Sequence, residues 1–291
     1  MIGRAADPVS DEAGTMTDAR GPVDAHYGRG KVLDSILAAL AQAGKDVAAL
    51  TPPDLAPVDE FHIRGREATI ELADRASLEP GLRVLDVGCG LGGSVRYLAS
   101  ERQCRAAGID LTSEYVEVAN ALAQMVGLRA STEFRQGSAL DIPFDDRSFD
   151  VVWTEHAQMN IADKRAFYGE IARVLAPTGR VVFHDIFQGD GGDLYYPVPW
   201  ADEPSISFLT SPQEVQALLR DLGFRILAWE DKSQQSLEWF KASVERLKAS
   251  GPPPLGLHLL MGETARRKFE NNIRNLAERR FVVVQAVAAR P

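Results

Sequence analysis

The sequence predicts a doubly wound α/β fold, in which a mainly parallel sheet carries helices on both faces. Three observations predict it. From Arg83 onward, short apolar runs rich in β-branched residues alternate with segments of helical period. The first run, Val84-Leu85-Asp86-Val87, passes through the glycine-dense turn Gly88-Cys89-Gly90-Leu91-Gly92-Gly93 into a segment carrying Val95, Tyr97 and Leu98. A strand that runs through such a turn into a helix gathers free backbone N–H groups and a helix N-terminus at one spot, which suits a nucleotide-like ligand. The second run ends on Asp110, about 20 residues beyond the turn, where a ribose-binding acid is expected.

Taken in order, residues 1–25 are polar and acidic, rich in Asp, Gly, Ala and Thr. They read as a disordered tail with no secretory leader. Val32, Leu33, Ile36, Leu37 and Leu40 recur at helical spacing up to Gly44. Residues 51–57 hold three prolines and read as a linker closed to helix. A further helix is expected over 64–76, so that 26–80 form an N-terminal helical layer. The rest, 81–291, reads as one α/β domain. Its strands are expected at 83–86, 105–109, 132–136, 149–154, 180–184, 225–229 and 281–288. Helices fall between them at 93–101, 113–126, 163–175 and 211–222. The last of these has Ser211, Pro212 and Glu214 as start signals and Gly223 as its stop. Two stretches break the alternation. Residues 186–210 form a long aromatic loop, read as a lid hinged at Gly189-Asp190-Gly191-Gly192. Residues 232–280 form a helical insertion between the last two strands, with helices near 234–249 and 263–279.

Composition bounds the function. The 291 residues are 45% hydrophobic and 25% charged, as in a globular domain, and the net charge of −9 disfavours a nucleic-acid-coating surface. The two cysteines, Cys89 and Cys104, make no disulfide framework and no metal quartet. No apolar run is long enough to cross a bilayer. The expectations are a cytoplasmic protein, monomer or homodimer, with no nucleic-acid or membrane partner and no metal.

The turn itself is ambiguous. Gly88, Gly90 and Gly93 satisfy the dinucleotide pattern G-x-G-x-x-G, while Asp86-x-Gly88-x-Gly90-x-Gly92 satisfies the acid-led turn of class I S-adenosylmethionine methyltransferases. A carboxylate two residues before the first glycine repels a pyrophosphate but suits a ligand end bearing an α-ammonium. The turn alone leans to the second pattern without excluding a nicotinamide-dependent oxidoreductase, or a binding module that has lost its chemistry.

Further along, Gly108–Thr112, Gly137-Ser138-Ala139-Leu140-Asp141-Ile142-Pro143-Phe144, Ser148–Trp153 and Ala172–Arg180 add four more segments in order. Together with 84–93 they resemble the class I S-adenosylmethionine-dependent methyltransferases over residues 60–230. The resemblance is strongest to small-molecule enzymes of the sarcosine/dimethylglycine N-methyltransferase type. Phosphoethanolamine and sterol methyltransferases are neighbouring groups. The Phe61-His62-Ile63-Arg64-Gly65 segment also resembles this group, where it closes over the cofactor. The resemblance implies a Rossmann-like sheet of seven strands with the last antiparallel, S-adenosylmethionine as cofactor and S-adenosylhomocysteine as product. It implies that Asp86, Gly88 and Gly90 hold the methionine end and that Asp110 holds the ribose. Leu111 would pack on the adenine and Ser138 with Ala139 would meet its edge. Many relatives carry Asp at the position of Ser138, and a hydroxyl binds the adenine amine more weakly. The expected acceptor is a small polar molecule presenting nitrogen. An oxygen or carbon acceptor on a natural product, quinone or sterol-like metabolite is the alternative.

The remaining candidates sit at strand ends. His156, just past the fourth strand, is the candidate base, because an imidazole titrates near neutrality. Glu155 is counted with the cofactor residues. His62 and Asn160 are counted with the substrate residues. Gln158 shares the segment of His156. His184 reads as a buried sheet histidine, with Asp185 at the pocket mouth. Tyr195, Tyr196 and Trp200 in the loop offer an aromatic face for a cationic amine, or simply pack the loop down.

Overall fold

The computed structural model describes residues 20–27 and 31–290 of the chain. Four helices come first: α1 (Arg20–Tyr27), α2 (Val32–Gln42), α3 (Pro52–Asp59) and α4 (Arg66–Arg75). Then the alternation begins: β1 (Arg83–Val87), α5 (Gly93–Ser100), β2 (Arg105–Asp110), α6 (Ser113–Met125), β3 (Thr132–Gln136), β4 (Phe149–Glu155), α7 (Lys164–Val174), β5 (Leu175–Gln188), α8 (Pro212–Asp221) and β6 (Arg225–Asp231). Three helices follow, α9 (Ser233–Ser250), α10 (His258–Met261) and α11 (Ala265–Ala277), and the chain closes with β7 (Phe281–Ala289).

The seven strands form one sheet in the order β3-β2-β1-β4-β5-β7-β6. β7 pairs antiparallel with both β5 and β6, and the other pairings are parallel. Side chains alternate across the sheet. Leu85, Val87, Val152 and Phe183 pack beneath α7 and α8 on one face. Val84, Val151, Trp153 and Val182 pack on the other. Because both faces are covered, the inner strands are apolar along their length rather than at every second residue. Among the described residues no helix is long and apolar enough to cross a membrane.

Three expectations are corrected. The polar tail falls partly outside the described residues, at 1–19, but Arg20–Tyr27 is helical, so the N-terminal layer begins earlier than residue 26. The proline-rich 51–57 stretch is the start of α3. Pro52 and Pro53 occupy its first turn, where the missing N–H groups have no partner to lose, and the Asp54 carboxylate accepts from Thr51 N (2.9 Å) and Thr51 Oγ1 (2.6 Å). The hinge assigned to Gly189–Gly192 is a packed corner. A Cβ at Gly189 would lie 1.9 Å from the Arg279 carbonyl oxygen, and one at Gly191 would lie 1.9 Å from that of Glu278. The Gly189 and Gly191 amides donate to the carbonyls of Arg280 and Arg279. The glycines serve close approach there, not freedom of motion. Beyond them Val198, Trp200, Ala201 and Ile206 are buried against Ile63, Met159, Phe240 and Phe281.

Candidate active site

Strand order reverses between β1 and β4, since the chain moves outward through β2 and β3 and returns on the other side. That leaves a crevice beyond the carboxyl ends of the strands. A cavity of about 570 Å³ occupies it, within the size range of small-ligand sites. Asp86, Gly88, Gly90, Asp110, Leu111, Ser138, Ala139, Glu155, His156, His62, Asn160 and Trp200 all line it.

The glycine turn is built for close approach. Gly88 has φ +83°, and a Cβ there would lie 2.7 Å from the Cβ of Ala157. Gly90 has φ +53°, and a Cβ there would meet no atom within 4 Å, so the backbone faces open space. The turn is braced from behind by the buried Arg96, whose Nη2 donates to Asp59 Oδ2 (2.5 Å) and to the Leu91 carbonyl (2.7 Å). Asp110 closes the turn from the other side. Its Oδ2 accepts from Gly90 N and its Oδ1 from Thr112 N, each at 2.9 Å. One carboxylate thus ties the glycine turn to the segment that opens α6.

Asp86 lies at the end of β1, 3% exposed, and no hydrogen bond from a described residue reaches its side chain. Burial first, then the nearby charge of Glu155, pushes its pKa well above the usual carboxylate range. A buried, cavity-facing carboxylate without a partner is a seat for a cation. Ser138 turns its hydroxyl inward to accept from Leu140 N (3.1 Å), within the 137–141 turn beside Leu111.

Glu155 is held more tightly than a cofactor ligand need be. Its Oε2 accepts from Ser94 Oγ (2.6 Å) and Trp153 Nε1 (2.8 Å), with Thr69 Oγ1 at 3.3 Å. His62 lies between two carboxylates, 3.0 Å from Glu60 Oε2 and 3.5 Å from Glu155 Oε2. Burial opposes its charge, but Glu155 and Glu60 outweigh burial and raise its pKa to about 9. Donor atoms of Glu60, His62 and Glu155 lie within 4.8 Å of one another, a spacing that suits a metal ion. Here the imidazolium, with the Thr69, Ser94 and Trp153 donors, already supplies the positive partners.

His156 follows at φ +49° and stacks on His184, with centroids 5.2 Å apart. Burial, then the neighbouring His184 and His62, holds its pKa well below the usual imidazole value, so the ring is neutral. Its Nε2 is buried without a hydrogen-bond partner. His184 is the buried sheet histidine expected, its Nε2 donating to the Ile63 carbonyl (3.0 Å). Asp185 is not at the pocket mouth. It is buried, and its Oδ2 accepts from Ala157 N and Gln158 N, fixing the backbone beyond β4.

The loop aromatics divide. Trp200 lines the cavity, with its Nε1 donating to Ser207 Oγ. Tyr195 and Tyr196 do not line it. Tyr195 lies between the Arg274 and Arg280 guanidiniums, 3.7 and 4.0 Å from its ring centre, and Tyr196 packs within the loop core. Asn160 ties the loop to the site, its Nδ2 donating to the carbonyls of Trp200 and Ile206. Its Oδ1 accepts from Tyr27 Oη (3.0 Å), so α1 reaches the cavity. Sequence reasoning missed Tyr27, which lies at the start of the expected N-terminal helical layer, just past the polar tail. It also missed Trp239, Phe240, Phe269 and Asn272, which α9 and α11 bring to the wall. The available signal was Asn272 on the apolar stripe formed by Phe269, Ile273 and Leu276.

The residues fit the cofactor that the resemblance implies. The unpartnered Asp86 suits an α-ammonium, the bare Gly90 backbone suits close approach, and Asp110 suits a diol. A methyltransferase domain model matches residues 85–183. The chain is 29% identical over 219 residues to the glycine/sarcosine/dimethylglycine N-methyltransferase of Actinopolyspora halophila, covering 75% of this chain and 38% of that protein. It is 30% identical over 198 residues to the sarcosine/dimethylglycine N-methyltransferase of Halorhodospira halochloris, covering 68% of this chain and 70% of that one. It thus spans less than half the length of the first relative and more than two thirds of the second. Haemonchus contortus phosphoethanolamine N-methyltransferase 2, solved with phosphomonomethylethanolamine and S-adenosylhomocysteine, superposes with a TM-score of 0.72. That match has 19% identity and covers 92% of this chain and 60% of the other, a likeness of fold.

Proposed function

Because this chain belongs to the S-adenosylmethionine-dependent class I methyltransferases, we propose that it methylates a small-molecule acceptor, with nitrogen as the receiving atom. The observation that carries the reading is Asp86, a buried carboxylate without a partner beside a glycine turn whose backbone lies open to the cavity. When bound, the cofactor supplies an activated methyl group on a sulfonium. This chain's residues do the rest. Asp86 and the Gly88–Gly90 backbone take the amino-acid end, Asp110 takes the ribose hydroxyls, and Leu111 with Ser138 and Ala139 takes the base. Glu155, fixed by Ser94 and Trp153, orders the floor of the cavity and keeps His62 charged. His62 and Asn160 complete the wall on the acceptor side. The loop and the N-terminal helices exclude water, so positioning supplies much of the rate. Where the acceptor carries a proton, His156 is the group assigned to remove it. Its ring is neutral and therefore able to accept.

Calorimetry tests the reading. S-adenosylmethionine and S-adenosylhomocysteine are expected to bind, and NAD is not. Asp110→Ala is expected to weaken cofactor binding by about 1.5–3 kcal/mol, the range for a hydrogen bond to a charged group. NAD binding without S-adenosylmethionine binding would overturn it.

A further inference from the structure

We infer that the acceptor carries its nucleophile on an apolar body free of carboxylate and phosphate groups; this rests on the methyltransferase reading above. The cavity continues beyond the glycine turn into a wall supplied by the helical insertion. Trp239 and Phe240 come from α9, Leu260 and Met261 from α10, Phe269 from α11, and Leu257 from the turn before α10. The aromatic members interlock edge to face. Ring centres lie 5.3 Å apart for Trp239 and Phe240 and 5.2 Å apart for Phe240 and Phe269. Such a surface gains by covering carbon and loses by desolvating ions.

Charge points the same way. Among the described residues no lysine or arginine lines the cavity, while Asp86, Asp110, Asp141, Asp163 and Glu155 do. The His62 imidazolium on the wall is held between Glu60 and Glu155, so an acceptor bearing a carboxylate or phosphate would meet no unengaged lysine or arginine and would enter beside carboxylates. The neighbouring cations are already engaged. Lys164 donates to the carbonyls of Gln158 and Phe208, and Arg96 is paired with Asp59.

One polar group is left on this wall. Asn272, on α11 and 4% exposed, has an Oδ1 with no hydrogen-bond partner. A buried amide oxygen in that state asks for a donor. The acceptor thus has a carbon skeleton, aromatic or isoprenoid in bulk, with a hydroxyl or N–H to meet Asn272. The small acceptor and its nitrogen nucleophile stay as proposed above, and the polar body expected from the sequence gives way to an apolar one.

The test is binding, read separately from turnover. With S-adenosylhomocysteine saturating, 2-naphthol, sarcosine and phosphoethanolamine are each titrated into the full chain by calorimetry. The expected result is 2-naphthol binding at least 10-fold tighter than either anion-bearing molecule. Phe269→Ala is expected to weaken 2-naphthol at least 10-fold with S-adenosylhomocysteine affinity unchanged, and Phe269→Leu to recover most of the loss. Unchanged cofactor affinity shows that the variants are folded. Sarcosine or phosphoethanolamine binding as tightly as 2-naphthol, or 2-naphthol affinity indifferent to Phe269→Ala, overturns the inference. If S-adenosylhomocysteine itself fails to bind, the methyltransferase reading falls, and the same ratio measured on the free protein still decides the chemistry of the wall.

Discussion

Asp86 sits where a carboxylate is hardest to ionise, with Glu155, Asp110 and Glu60 nearby and no donor of its own. Its raised pKa means that it keeps its proton to higher pH than an ordinary carboxyl does. A cationic amino-acid end placed against it favours the ionised form, so binding should expel that proton. Titrating S-adenosylhomocysteine at pH 7 in buffers of different ionisation enthalpy should report release of up to one proton. Asp86→Asn should abolish the release and weaken binding by roughly 1–3 kcal/mol. His156 calls for a different measurement. Burial and its two histidine neighbours depress its pKa, so the neutral form persists down to a pH below 6.5. If it removes a proton, the acidic limb of the rate profile lies below that pH and disappears in His156→Ala. Turnover should fall about 10²–10⁴-fold with cofactor affinity retained. Loss of cofactor binding in proportion to activity would make His156 a structural residue.

Among the elements, the 186–210 loop reads differently in sequence and in space. Its glycines look like a hinge, because sequence cannot show that the backbone of residues 278–280 passes within van der Waals reach. Gly189→Ala should therefore destabilise the fold by about 2–4 kcal/mol, since backbone must move to admit the Cβ. Gly169→Ala is the contrast. That glycine lies within α7 with nothing within 4 Å of its Cβ position, and alanine should stabilise the helix by up to about 1 kcal/mol. Urea unfolding of the two variants decides, and equal midpoints would restore the hinge. α3 teaches the same lesson from the other side. Pro52 and Pro53 begin a helix well, with the Thr51–Asp54 pairing at its start, and the third proline, Pro57, is accepted inside the short α3. The α8 signals, by contrast, are wholly local. Ser211 and Glu214 form their capping box as their spacing requires.

Across the whole molecule, the legible part was the part made by short stretches. Strand, glycine turn, helix and the acid ending β2 are each set within a few residues, and their order gives the sheet. Every cofactor residue named from the sequence lines the cavity. The acceptor side was not legible, because its wall joins α1, the 186–210 loop and α9 to α11, whose inward faces are fixed only by packing. Tyr195 and Tyr196 illustrate the cost. Arg274 and Arg280, about 80 residues away, hold Tyr195, and Tyr196 packs within the loop core. The direction of β7 has an architectural consequence. Since it runs against β5 and β6, the chain leaves β6 and re-enters β7 at one and the same rim of the sheet. No crossover over a face is needed, so α9 to α11 are an inset anchored at both ends beside the ligand. Residues given to the cofactor all precede 156, and the inset begins at 232. The share of the acceptor wall that α9 to α11 supply is thus encoded apart from the cofactor residues, and it can be exchanged as one continuous cassette while the sheet and its nucleotide seat stay untouched.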